Sequence, residues 1–234
     1  GTTDEDFPQR EDIWSAIATA PAARTNHTAV WSGAEMIVFG GDNGAGSVQP
    51  GGDAYAPASN TWRSLAAGPA KRWHHSAVWT GTRMIVWGGD DNAIAIYNNG
   101  GRYDPATDTW AATTTTGAPA ARVLHSAVWT GSRMVVWGGR DAAGYFNSGS
   151  RYDPTANSWS ATTTTGAPAA RAAHSAVWTG THVLVWGGVG AGQIALGTGS
   201  RYDPASNSWS AMTTAGAPSA RYGHVVTWTG AKML

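Results

Sequence analysis

A unit of nearly 50 residues recurs along this chain, and that repetition restricts the possible folds more than any other feature. Aligned on a histidine, the unit returns at His27, His75, His125, His174 and His224, with spacings of 48, 50, 49 and 50 residues. A Gly-Gly pair recurs as Gly40-Gly41, Gly88-Gly89, Gly138-Gly139 and Gly187-Gly188. Tyr is followed seven positions later by Trp at Tyr55/Trp62, Tyr103/Trp110, Tyr152/Trp159 and Tyr202/Trp209, and Phe7/Trp14 fits the same frame.

Each period divides into four short strands. "HSAVW" is the first, and a Thr-Gly or Ser-Gly turn suited to a tight hairpin follows it. "RMIVWGG" is the second, rich in β-branched and aromatic residues. A variable loop leads to "GGRYD" or "GSRYD". "DPATD" or "DPTAN" then supplies Asp first and Pro second, as a type I turn prefers. "TWAAT" or "SWSAT" is the fourth strand, and "TTGAPAAR" connects to the next unit. No stretch shows helical periodicity. A four-stranded unit of this size cannot bury both its faces alone, and radial stacking of such units makes a β-propeller.

The Gly-Gly doublet after a hydrophobic strand, then Tyr, six residues and Trp, resembles the Kelch repeat, and the resemblance covers essentially the whole chain. The expected fold is all-β, a five-bladed propeller of four-stranded antiparallel blades, as one domain over residues 1–234. Residues 1–20 are read as strands that complete the last blade. Four repeats occupy 21–68, 69–118, 119–167 and 168–217, and 218–234 is a partial fifth. The resemblance further implies that Tyr and Trp pack between blades. Five units of about 49 residues need more positions than the 234 present. Three arrangements are open: a fifth blade lacking one strand and loop, a piece of a larger ring, or chains that share blades.

Composition narrows the partners. Formal net charge is zero and 13% of residues are charged. That leaves no basic excess to neutralise nucleic-acid phosphates. No apolar run of about 18 residues is present to cross a membrane as a helix. The absence of Cys removes disulfides, thiolate metal sites and cysteine nucleophiles. Thirteen Arg against two Lys, with abundant Gly, Ala, Thr and Ser, suggest a secreted bacterial protein, extracellular or periplasmic.

A residue present in every unit is expected to serve the blade. Of fourteen Trp, all but Trp73 occupy repeated positions and are read as core. The Arg-x-x-His element recurs at Arg24/His27, Arg72/His75, Arg122/His125, Arg171/His174 and Arg221/His224. Each His is expected to bond within its own blade, and each Arg to snorkel or pair with a loop carbonyl or Asp. Five equivalent histidines spread round a ring do not suit metal ligation. Asp104, Asp153 and Asp203 are read as turn residues.

What varies between units points to a site. Strand alternation puts the loops between second and third strands on the same face as the connectors and Arg-x-x-His. That face is expected to bind ligands, because loops on a rigid scaffold carry function. The residues without counterparts lie there: Trp73, His74, Asp90, Asp91, Tyr97, Arg140, Asp141, Tyr145, Phe146 and Tyr222. Asp42 joins them. The four Asp could supply oxygen ligands to calcium, but their spread over several blades argues against convergence.

Three functions follow, in this order. The first is a non-catalytic module that recognises a protein or a glycan, as Kelch resemblance implies. The second is a mainly structural role, as a propeller that self-assembles through the incomplete blade into a homo-oligomer or as a fragment or engineered ring. The third is a carbohydrate-active enzyme domain, since the resemblance extends to galactose-oxidase-like bacterial propellers. That oxidase's Tyr–Cys crosslink has no counterpart here. No catalytic residue, metal or other cofactor is expected.

Overall fold

The computed structural model of the protein describes residues 16–92 and 95–234. It holds four separate antiparallel sheets of four strands, each in chain order. The first blade is β1 (Thr28–Trp31), β2 (Met36–Phe39), β3 (Gly52–Ala56) and β4 (Thr61–Ser64). The second is β5 (Ser76–Trp79), β6 (Met84–Trp87), β7 (Gly100–Asp104) and β8 (Thr109–Ala112). The third is β9 (Ser126–Trp129), β10 (Met134–Trp137), β11 (Gly149–Asp153) and β12 (Ser158–Ala161). The fourth is β13 (Ser175–Trp178), β14 (Val183–Trp186), β15 (Gly199–Asp203) and β16 (Ser208–Ala211). A partial fifth unit holds the bridge Trp228↔Met233. Innermost strands meet in sequence, β1 with β5, β5 with β9, and β9 with β13. The described sheets form an arc that is not closed into a ring.

Phe7, Trp14 and most of the expected closing strands lie outside the described residues. Residues 16–20 carry no strand, yet they keep the repeat frame. Ala18 N–H donates to Asn60 Oδ1 at 2.7 Å, and Trp62 Nε1 donates to Ala18 O at 3.3 Å. The same pair of bonds joins Ala66 to Asp108 and Trp110, Thr114 to Asn157 and Trp159, and Thr163 to Asn207 and Trp209. Ala18 therefore sits against the first blade as the connector of each complete blade sits against the next.

Alternation along the strands gives every central blade two apolar faces. Ile37 and Phe39 of β2 meet Met84, Val86 and Tyr103 of the second blade. Ile85 and Trp87 meet Met134, Val136 and Tyr152. Val135 and Trp137 meet Val183, Val185 and Tyr202. Tyr and Trp do pack between blades: Trp110 meets Phe39, Trp159 meets Trp87 and Trp209 meets Trp137 with ring centroids 5.0–5.4 Å apart, and each Trp also packs on the Tyr of its own blade. The reading of all repeated Trp as core fails at Trp31, which is 53% exposed. Its counterparts Trp79, Trp129 and Trp178 pack on a preceding blade, and Trp31 has no complete blade before it among the described residues.

The repeated histidines overturn a second expectation. His27 does bond within its own unit, to Arg24 O at 3.0 Å, but His75, His125 and His174 bond to the preceding blade. His75 Nε2 shares a hydrogen bond with Thr28 Oγ1, His125 Nε2 with Ser76 Oγ, and His174 Nε2 with Ser126 Oγ, each at 2.8 Å. The ring lies beside the first Gly of the preceding blade's doublet. At Gly138, where φ is +67°, an added Cβ would come within 2.5 Å of His174 Cε1. The doublet is glycine because the backbone is left-handed and another blade's ring fills the space a side chain would need. Burial lowers the pKa of His75 and His174 to about 3 and pushes that of His125 well down, so these rings are neutral.

Of the two expectations for the repeated arginines, pairing with carbonyls or Asp holds for Arg24, Arg72, Arg122 and Arg171, and Arg221 is exposed. Arg72, Arg122 and Arg171 are fully buried and hold the carbonyls of their own blade. Arg122 Nε donates to Ala120 O at 2.8 Å, and Nη1 donates to Gly138 O at 2.9 Å and Ser148 O at 2.8 Å. Burial lowers these three pKa values to about 10, which leaves the side chains charged at neutral pH. In the first blade the carbonyl ligation is replaced in part by an ion pair between Arg24 and Asp53 at 2.8 Å.

Candidate functional site

The loop face repeats one backbone pattern and varies its side chains. In each complete blade the residue after Gly-Gly bridges to two partners. One lies just after the Arg, and the other lies in the variable loop. The sets are Thr25–Asp42–Val48, Trp73–Asp90–Ile96, Val123–Arg140–Tyr145 and Ala172–Val189–Ala195. The residue before each repeated His takes positive φ in these blades: Asn26 (52°), His74 (49°), Leu124 (55°) and Ala173 (51°). Backbone bonds then run from blade to blade: Leu124 N–H to His74 O at 3.4 Å, and Ala173 N–H to Leu124 O at 2.9 Å. This shared platform presents different chemistry at each junction.

In the first blade Asp42 is 3% exposed, and Thr25 Oγ1 donates to its carboxylate. In the second blade the same position opens. Trp73 Nε1 donates to Asp90 Oδ1, which also accepts Asn92 N–H at 3.0 Å. His74 Nδ1 lies 3.3 Å from Asp90 Oδ2. The Trp73 and His74 rings stack at 4.2 Å between centroids with planes 32° apart. Beside them is an open depression of about 360 Å³, lined also by Asp91, Val123 and Arg140. Asn92 Nδ2 donates to Gly46 O at 2.9 Å and so ties the loops of the first two blades.

Five of the residues singled out from the sequence therefore come together: Trp73, His74, Asp90, Asp91 and Arg140. The other five do not line this depression. Tyr97 covers the Arg72 guanidinium at 4.6 Å, and Phe146 covers that of Arg122 at 4.3 Å. Both rings serve buried cations of their own blades. Burial, with Asp91 next in effect, raises the Tyr97 pKa. Tyr145 is the bridge partner of Arg140. Asp141 Oδ1 accepts Ala143 N–H at 2.8 Å and Gly144 N–H at 3.0 Å, closing its own loop. Tyr222 is 59% exposed on the partial fifth unit, two blades along.

The residue list from the sequence missed Asn92 and Val123. The available signal was positional, since Val123 stands in the third unit where Trp73 stands in the second. Chemically, the depression joins a stacked aromatic pair to two carboxylates and an exposed guanidinium. That set can grip amides, hydroxyls and charged side chains. Among the described residues no three His, Asp or Glu side chains converge as a metal-binding group.

A family profile described as the KLHDC2/KLHL20/DRC7 Kelch-repeats domain matches residues 26–234. The chain belongs to the Kelch-repeat family. A search of curated proteins found no match. Kelch domains generally bind protein partners, and the propeller architecture of this Kelch chain suggests such a role. Among its described residues no helix is long and apolar enough to cross a membrane.

Proposed function

We propose that this Kelch chain is a protein-binding module that engages its partner on the loop face, at the depression beside Trp73. The observation that carries the reading is the contrast between adjacent blades on one backbone platform. Asp42 is sealed by Thr25, whereas Asp90 lies under an aromatic stack beside an exposed Arg140. Aromatic and Arg side chains around a small polar depression are the composition of interface hot spots. A glycan would use the same hydroxyl-binding carboxylates, so glycan and peptide arrays should be probed side by side. Arg140→Ala is expected to leave stability within about 0.5 kcal/mol of wild type, as for an exposed side chain. It is expected to weaken capture of array hits at least tenfold by biolayer interferometry. Hits retained at full affinity by both Arg140→Ala and Trp73→Ala would move the binding site elsewhere.

Assembly of copies is the second reading, and one observation favours it. The fourth blade and the partial fifth unit frame a cavity of about 250 Å³ lined by Trp186, Met212, Pro218 and Met233. Val225, which also lines it, is 94% exposed. At the other end of the arc Trp31 is exposed. Light scattering tests this reading: a multiple of the 24.3 kDa chain mass supports copies joined through these ends, and a monomer removes it.

A further inference from the structure

The face opposite the loops carries the uniform Thr-Gly and Asp-Pro turns, and the repeat alone assigns it no task. Its charges are nevertheless not uniform. At the junction of the second and third blades a hollow of about 330 Å³ is lined by Arg83 and Arg102, with Thr80, Thr82 and Thr155. At the next junction a hollow of about 440 Å³ repeats it, lined by Arg133 and Arg151 with Thr130 and Ser132. No carboxylate lines either hollow.

The guanidiniums are held but not used up. Arg102 Nη1 donates to Pro154 O of the following blade at 2.9 Å, and Arg151 Nη1 does the same to Pro204 O at 2.9 Å. Nε of each is buried and has no hydrogen-bond partner, and Arg102 Nη2 also reaches Ala112 O at 3.4 Å. Arg83 and Arg133 are about half exposed, at 50% and 45%. Their nearest acids, Asp104 and Asp153, stand at 3.3 and 3.8 Å, beyond the length of a strong charge-assisted bond. Both Asp also accept backbone N–H groups of their own turns. Each hollow thus has one cation held by a carbonyl, one half-exposed cation and hydroxyl groups.

The first junction is the internal contrast. There Glu35 takes the place of Arg83, and Ala54 takes that of Arg102. Arg63 is clamped by Glu35 through two bonds of 3.0 and 2.8 Å and donates to Tyr103 Oη at 3.0 Å. The same frame can therefore close its arginine with a carboxylate. At the next two junctions the carboxylates stand farther off: Arg83 makes two long bonds of 3.3 and 3.4 Å to Asp104, Arg133 lies 3.8 Å from Asp153, and Arg102 and Arg151 bond to carbonyls instead.

We propose that these two hollows are equivalent oxyanion sites, each taking one sulfate, phosphate or carboxylate group between its two arginines. Planar guanidiniums suit oxyanions because they donate paired, parallel hydrogen bonds. Two copies of the site on one face would let a ligand with repeated anionic groups bind both at once.

The test is a titration of the whole chain with sodium sulfate and sodium acetate, against sodium chloride at matched ionic strength. Arginine Nε–H signals are followed by NMR. Saturable shifts are expected at Arg102 and Arg151 with sulfate or acetate and not with chloride. Arg83→Ala should weaken the Arg102 site roughly tenfold and spare the Arg151 site, with the converse for Arg133→Ala. Both substituted side chains are half exposed, and far-UV circular dichroism checks that the variants fold. Preference for sulfate points to a tetrahedral anionic group on the natural ligand, and preference for acetate points to a carboxylate. Shifts that only track ionic strength, or that neither variant alters, would overturn the proposal.

Discussion

The seam between blades and the depression on the loop face are built from the same kinds of residue with opposite outcomes. At the seam, Trp137 is 1% exposed and packs edge-on to His174 at 5.3 Å. At the depression, Trp73 stacks on His74 at 4.2 Å, and both rings remain partly open to solvent. An aromatic ring edge-on to His occurs at every junction between complete blades, with Phe39 in place of Trp at the first, and among the described residues the Trp–His stack occurs once. Repetition marks residues that hold blades together, while a Trp–His pair that breaks the repeat on a shared backbone platform is free to meet a partner.

The sharpest way to break this comparison is to remove the seam Trp. Trp137→Ala would remove a fully buried indole from the third junction, where Val135, Val185 and Trp209 converge. A loss of about 3–5 kcal/mol is expected in urea unfolding, the range for a buried aromatic truncated to Ala. A loss below about 1 kcal/mol would mean that the seam is not the stabilising element.

The histidines give an intermediate effect, read through pH. Burial depresses the pKa of His75 and His174 to about 3 in the folded state. Unfolded, each titrates near 6.5, so between those values the unfolded chain binds more protons than the folded one. Their contribution is fully present above about pH 6.5 and is lost as pH falls towards 3. Each ring then removes up to about 1.4 kcal/mol per pH unit. Unfolding midpoints should be level from pH 8 to 7 and drop steeply from 6 to 5. His174→Gln should reduce the slope, and an unchanged slope would assign the pH response to other groups.

The seam was legible in the sequence because it repeats. Gly-Gly, Tyr, Trp, Arg and His each recur at one phase, and recurrence alone separates them from site residues. Their partners were less legible. Read within one unit, His calls for a local acceptor, yet the rings of His75, His125 and His174 reach Thr28, Ser76 and Ser126 nearly a full repeat earlier. Only the stacking of blades brings those residues together. Asn60, Asp108, Asn157 and Asn207 also escaped notice, although they recur two positions before Trp. In the last three the Oδ1 atom accepts the Tyr hydroxyl of its own blade, at 2.6 Å, and an N–H of the preceding connector. Subtracting the repeat picked out Trp73, His74, Asp90, Asp91 and Arg140, which the fold brings to one depression. It also selected Tyr97 and Phe146, because a ring that covers a buried Arg can be Tyr in one blade and Phe in another. Chemical variation at a packing position looks the same in sequence as variation at a binding position.

The smallest stability effect sharpens the comparison most. Trp73→Ala removes an indole of the same size as that of Trp137, so area alone would predict a similar loss. The surroundings predict otherwise. Trp73 is only half-buried, its backbone bridge to Asp90 is kept by any residue, and Thr25, Val123 and Ala172 occupy the same place in other blades. What is lost is one stacked face and one bond to a carboxylate that still accepts Asn92 N–H. A cost of about 1 kcal/mol is expected, near the centre of the distribution for point mutants. Partner affinity should fall at least tenfold, as for a hot-spot aromatic. A stability loss approaching that of Trp137→Ala would place Trp73 in the scaffold. A small loss in stability with a large loss in binding would place the one unrepeated Trp at the interface.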